Sequence, residues 1–168
     1  HKLNPSSLSA SILAVMALDR GDYQTAYDFY TQAIELEEND IKKGEHYFSL
    51  AVVSSKMNKI EESREHALKA INYKPNWGEP YILIGNLYAN SKDECSGISL
   101  SNAIYWAAVD KFIKAKSVDP ESADKATTLI ETYSNYFPNK EEAFFQGINV
   151  GDSYKIGCWI NETTKARF

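Results

Sequence analysis

Histidine, cysteine and glycine are all scarce in these 168 residues, with three, two and eight respectively. Neither His46 nor His66 stands in an H-E-x-x-H or comparable ligand spacing, so no metal site is expected and both read as surface residues. The glycines form no G-x-S-x-G, Walker or dinucleotide pattern, so the sequence offers no catalytic residue and no cofactor site of those kinds. Basic residues are outnumbered, 18 Lys and Arg against 23 Asp and Glu, and the net charge of −5 speaks against a nucleic-acid partner. No apolar run approaches the roughly 18 residues of a membrane-crossing helix. Methionine does not open the chain, nor does a secretion signal. It begins His1-Lys2-Leu3 and is expected to be the end of a longer protein.

What the sequence has in quantity is aromatic and small side chains in register. Ala108, Phe112, Ala115 and Pro120 repeat the offsets of Ser63, Ala67, Ala70 and Pro75, and of Ala26, Tyr30, Ala33 and Glu38. Small residues four and seven apart let two helices approach closely, and proline ends the unit. Each such stretch follows another helical one. Tyr47, Leu50 and Ala51 mark the second of these, and Tyr81, Ile84, Gly85 and Tyr88 the third. In the first, Leu13 and Ala14 fill the matching places, with Ala10 where a large aromatic is usual.

These helix pairs resemble the tetratricopeptide repeat, whose signature is W-x2-L-G-x2-Y in the first helix and spaced small residues in the second. The resemblance implies a mainly α fold, an α-α superhelix of about three helix pairs with capping helices, closed by a short β-hairpin. The helical-repeat domain is expected over 1–147, with repeats at about 8–40, 44–77 and 78–120 and capping helices over 121–146; the hairpin takes 148–168. Ala33 and Ala70 lie 37 positions apart, and the extra residues are placed in the connection around Asn39–Lys43. Ala70 and Ala115 lie 45 apart, and the insertion is read as a long loop, Ser91–Ser101, between the helices of the third repeat. Segments 93–95, 105–120, 133–145 and 151–168 together resemble the C-terminal region of tetratricopeptide proteins from Bacteroidetes. That implies a larger parent chain with further repeats upstream, a place in the cell envelope or periplasm, and no established activity.

Tetratricopeptide arrays bind along a concave face lined by the first helix of each pair. Carried onto this sequence, that face takes Leu8, Ser11, Val15, Leu18 and Asp19, then Glu45, Phe48, Val52, Ser55 and Lys56. The third helix adds Glu79, Ile82, Asn86, Ala89 and Asn90. Phe48, Val52, Ile82 and Asn86 are the predicted contact residues, with Phe48 and Ile82 as apolar anchors and Asn86 as a hydrogen-bonding group. The resemblance does not extend to the members that hold a peptide carboxylate with Lys and Asn, since only Asn86 matches. The function expected is a non-catalytic scaffold for a protein or peptide; upstream repeats of the same chain are an alternative occupant. A second reading makes this the regulatory or structural C-terminal region of a protein whose catalytic part lies upstream.

The end of the chain changes character. Tyr154 to Ile160 alternates and reads as one strand, with Thr163–Phe168 as a second. Cys95 and Cys158 are expected to be two free thiols; the alternative is a disulfide stapling the hairpin to the third repeat, which an extracytoplasmic location would permit. Phe144 and Phe145 are expected to dock on the helices, with Trp159 packing against one of them. The acidic stretches Glu35–Asp40 and Glu61–Glu65 read as solvated faces. Asn161-Glu162-Thr163 fits a glycosylation sequon, which matters only in a eukaryotic secretory host.

Overall fold

Ser6 opens the first helix with a capping box. Its hydroxyl accepts from the Ser9 backbone at 3.1 Å while its own N–H donates to Ser9 Oγ at 3.0 Å. The computed structural model describes residues 5–95, 97 and 100–168. Eight α-helices occur among them: α1 Ser7–Asp19, α2 Tyr23–Leu36, α3 Asp40–Lys56, α4 Ile60–Tyr73, α5 Glu79–Asn90, α6 Ile104–Val118, α7 Ala123–Ser134 and α8 Lys140–Phe145. Strands β1, Ser153–Ile156, and β2, Glu162–Lys165, pair antiparallel with Ser153 opposite Lys165 and Ile156 opposite Glu162. None of the described helices is long and apolar enough to cross a membrane.

The chain falls into two compact units, His1–Pro80 and Tyr81–Phe168. In the first, α1 packs on α2, α2 on α3 and α3 on α4, as successive antiparallel helices do when their connections are short. Ala14, Ala17, Ala26, Tyr30, Ile34, Leu50 and Val53 form its core. The small residues stand where the register placed them: Ala26, Ala33, Ala51, Ala67 and Ala70 are all fully buried. Gly44 lies at a close approach of α3 to the end of α4, since a Cβ there would lie 3.0 Å from Lys74 Cβ and 3.2 Å from the Ala70 carbonyl, tight enough that the neighbours would have to give. Ser63 ties the same pair by donating to the Ala51 carbonyl at 2.7 Å.

One boundary differs from the sequence reading. The extra residues around Asn39–Lys43 do not make a longer connection; they add a turn to the start of α3. Asn39 caps it, its side chain accepting from Lys42 N at 3.0 Å, and Asp40 favours the positive end of the helix dipole.

In the second unit, α5 and α6 flank the expected insertion. Phe112 of α6 is fully buried, and its ring fills the space left by the missing side chain of Gly85 on α5. α7 packs on α6, stacking Tyr133 on Phe112 with ring centroids 5.6 Å apart. The hairpin is shorter than expected, because the chain turns over 157–161 where a continuing strand was read. Cys158 and Asn161 there take φ values of +55° and +47°, which ends the alternation. A two-stranded hairpin needs support in water, and α6 supplies it. Trp106 Nε1 donates to the Arg167 carbonyl at 2.7 Å, Asp110 accepts from Thr164 and Arg167, and Lys111 pairs with Glu162 at 2.7 Å.

Candidate functional site

Helix α1 is apolar on two sides. One side is the alanine stripe Ala10, Ala14 and Ala17, buried at 0% exposure. The other carries Leu8, Ile12, Val15 and Met16, which are 70, 52, 46 and 49% exposed. Steps of four and three residues place these four along one side of the helix. Single exposed leucines need no explanation, whereas a contiguous apolar stripe marks an interaction surface. Leu8 and Val15 belong to the set expected from the repeat register. Ile12 and Met16 were missed; the signal for them is an alanine stripe already sufficient to pack α1, which leaves its larger apolar residues over.

Phe48 and Val52 sit one turn apart on α3, both partly exposed. The Phe48 ring meets Trp77 edge-on, with centroids 4.7 Å apart and planes at 61°. Lys74 lies 4.3 Å over the Trp77 ring and 2.7 Å from a Glu45 carboxylate oxygen. Phe48 is therefore half of an aromatic pair closed on one side by an ion pair. Such a surface is rigid, apolar at its centre and charged at its edge. Trp77 was not singled out in the sequence, because it lies in the Pro75–Gly78 connection, outside the helical register.

Ile82 and Asn86 also lie one turn apart, on α5 in the other unit. Asn86 is partly exposed, but Ile82 is only 2% exposed and offers a partner no surface. This corrects its expected role as an anchor. The repeat register assumes a first helix with one wet face, whereas α5 buries Ile82, Ile84, Leu87, Tyr88 and Ala89, nearly all round.

Ser7, Glu37 and His46 gather at the start of α1, the end of α2 and α3. Ser7 Oγ donates to Glu37 Oε2 at 2.6 Å and lies 3.0 Å from His46 Nε2, which is itself 3.5 Å from Glu37. The composition is that of a Ser-His-carboxylate site, but the geometry is not. A relay needs the hydroxyl and the carboxylate on opposite nitrogens of the ring; here both meet Nε2. The trio is a tie between helices, and the Ser7 hydroxyl holds the Glu37 carboxyl below its ordinary value.

Three further expectations change in the second unit. Cys95 and Cys158 are joined as a disulfide, with Cα atoms 5.6 Å apart, and are not free thiols. The bridge fastens the inserted loop to the hairpin turn, beside a groove of about 450 Å³ lined by Glu94, Tyr154, Lys155 and Gly157. Phe144 and Phe145 do not dock: they are 74 and 86% exposed and pack edge-to-face on each other, while Ala143 takes the inward position of α8. Trp159 rests on Tyr88, with centroids 5.4 Å apart.

Residues 45–76 match the family model of the tetratricopeptide repeat. No curated protein sequence matches the chain. Among solved structures it is similar to the TPR2B domain in the pHsp70 complex of yeast Sti1, with a TM-score of 0.62 and 21% identity over 77% of this chain and 96% of that one. The Sgt2 TPR domain from Aspergillus fumigatus aligns with a TM-score of 0.62 and 19% identity over 92% of each chain. The TPR domain of Arabidopsis OM64 aligns at 0.60 and 16% identity, over 77% of this chain and 94% of its own.

Proposed function

We propose that this chain, which carries a tetratricopeptide repeat at 45–76 and has the fold of tetratricopeptide domains, is a non-catalytic scaffold holding a polypeptide partner. The contact surface is the outer side of α1 together with Phe48, Val52 and Trp77. The observation that carries this reading is the open stripe Leu8, Ile12, Val15 and Met16, whose helix is already packed through its alanines. Water in contact with such a stripe is released when a partner covers it, which is the main favourable term in association.

The structural neighbours support the same class of function. The Sti1 domain is seen in complex with pHsp70. The chemistry on this chain differs from capture of a carboxylate, since Phe48 and the α1 stripe present carbon rather than cationic donors. An amphipathic helix or an extended segment with apolar side chains suits it. Asn86 adds a separate polar contact on α5, with donors and acceptors for a partner's backbone. The Cys95–Cys158 bridge supports an oxidising, extracytoplasmic setting.

The test is capture with the whole chain as bait, repeated with Ile12→Lys and Val15→Lys. A partner retained by the parent and lost by both variants, at unchanged circular dichroism, supports the reading. A partner retained equally by all three sinks it.

A further inference from the structure

His66 of α4 holds its imidazole between tyrosines from two other helices. The Tyr27 ring of α2 lies 6.1 Å away, tilted by 58°, and the Tyr47 ring of α3 lies 6.2 Å away at 27°. The side chain is only 10% exposed. Nε2 faces Glu62 Oε1 at 3.4 Å, one turn back on α4, and lies 3.5 Å from the Tyr27 hydroxyl. That hydroxyl donates to the same carboxylate oxygen. On the opposite edge of the ring, Nδ1 is buried with no hydrogen-bond partner among the described residues.

This placement fits one protonation state. With its hydrogen on Nε2, the neutral ring donates to Glu62 and leaves only a lone pair at Nδ1. A second proton must go to Nδ1, creating a buried N–H without an acceptor, which forfeits the full solvation of that donor. The charges around the ring do not repair this. Glu62 favours a cation, but Lys59 already lies 3.4 Å from its other oxygen and 4.7 Å over the Tyr27 ring. From α4, Lys69 stands 5.5 Å over the Tyr47 ring and opposes a cation, while the nearby Glu65 favours one. From α3 comes Tyr47, stacked on Tyr73 at 5.4 Å, with Lys43 beyond it over the Tyr73 ring. Burial outweighs the carboxylates and pulls the imidazole below its ordinary value of 6.5.

We infer that His66 is an acid-sensitive latch on the joint of α2, α3 and α4, closed while the ring is neutral and opened by its protonation. The sign follows from linkage. Well above pH 6.5 neither folded nor unfolded chain binds the proton, and the joint has its full strength. As pH falls through 6.5 the unfolded chain binds it first, so stability declines until the depressed folded value is reached. Helix α3 carries Phe48 and Val52 as well as Tyr47, so mild acid would also loosen the proposed contact surface. That last consequence rests on the proposed function; the latch does not.

Two measurements on the whole chain test it. In an NMR titration of the imidazole signals from pH 8 to 5, His66 is expected to titrate below 6.5, with the Tyr27 and Tyr47 ring signals shifting in step. A midpoint at or above 6.5 overturns the latch, and this needs no variant. In urea unfolding at pH 7.5 and 5.5, the folding constant of the parent is expected to fall further than that of His66→Phe over the interval. An equal fall in both overturns it. Should His66→Phe not fold, His66→Gln takes its place in the urea comparison, and the titration stands independently of either variant.

Discussion

A methyl group added to Gly85 would stand 2.5 Å from Cε1 of Phe112, well inside van der Waals contact. The two residues lie on α5 and α6, so the glycine sets how closely these helices approach. Phe112 cannot easily yield, because its ring is fully buried and stacked on Tyr133. Gly85→Ala gains helix propensity but overpacks this contact. The overpacking is expected to win, lowering stability by roughly 1–3 kcal/mol. Urea unfolding gives the answer directly, and a variant as stable as its parent would mean that α5 and α6 can separate without cost.

The bridge between Cys95 and Cys158 gives the second prediction. Thiol titration of the denatured, unreduced protein is expected to find no free thiol. The bridge closes a loop across a sequence separation of 63, and removing it with Cys95→Ser and Cys158→Ser together is expected to cost roughly 2–5 kcal/mol. The hairpin should stay docked all the same, because Trp106, Asp110 and Lys111 hold it independently. Retained Trp106 near-ultraviolet dichroism in the double variant is the measurement. Its disappearance would mean that the bridge is the main fastening.

The repeat fold was legible because it is written in local spacing. Ala26, Ala33, Ala67, Ala70, Ala108 and Ala115 are small where two helices touch, and every one is buried. The terminal hairpin was legible in its alternation, though not in its length, since that depends on backbone turns at Cys158 and Asn161. What stayed hidden depends on tertiary meetings. The pairing of Cys95 with Cys158 requires the inserted loop to reach the hairpin, which no local pattern encodes. His66 read as a surface residue beside Glu65, yet it lies on the same stripe as Ser63 and Ala70, and that stripe faces inward. Ile82 was misplaced for a related reason: repeat position names the wet face of an average member, while burial follows the particular neighbours of α5. Phe144 and Phe145 show the limit of hydrophobicity as a guide, because a six-residue helix has one inward place and Ala143 fills it.

Acid should act on the first unit at a second, lower range through Glu37. Its carboxyl is held down chiefly by the Ser7 hydroxyl, with the Asn39 backbone helping. A carboxyl whose folded value is depressed contributes its stabilisation above the ordinary 4.5 and loses it as pH falls through the folded value. Glu37→Gln is therefore expected to lower stability at pH 7 by up to roughly 1.5–3 kcal/mol, the range for hydrogen bonds to a charged group. The gap between variant and parent should narrow steadily below 4.5. Thermal melts across that range check it, and a gap independent of pH would assign the loss to packing.

Binding is expected to turn on the Phe48 and Trp77 pair. The two rings meet at 4.7 Å, and Lys74 covers the Trp77 face, so Phe48 is held in place before any partner arrives. A preorganised aromatic loses little side-chain freedom on binding, which is why such residues carry a large share of interface energy. Once a partner is in hand, Phe48→Ala is expected to weaken its affinity by more than ~1 kcal/mol, and Val52→Ala by less, since it removes less area. Partial exposure of Phe48 keeps the folding cost below the roughly 3–5 kcal/mol of a core phenylalanine, so the variant should remain folded for the measurement. Phe48→Asp is the sharper probe, because it leaves an unpaired charge wherever the partner lies down. Unchanged affinity in a folded Phe48→Asp protein would remove α3 from the contact surface. The open stripe of α1 from Leu8 to Met16 would then carry the binding alone, and Ile12→Lys would show it.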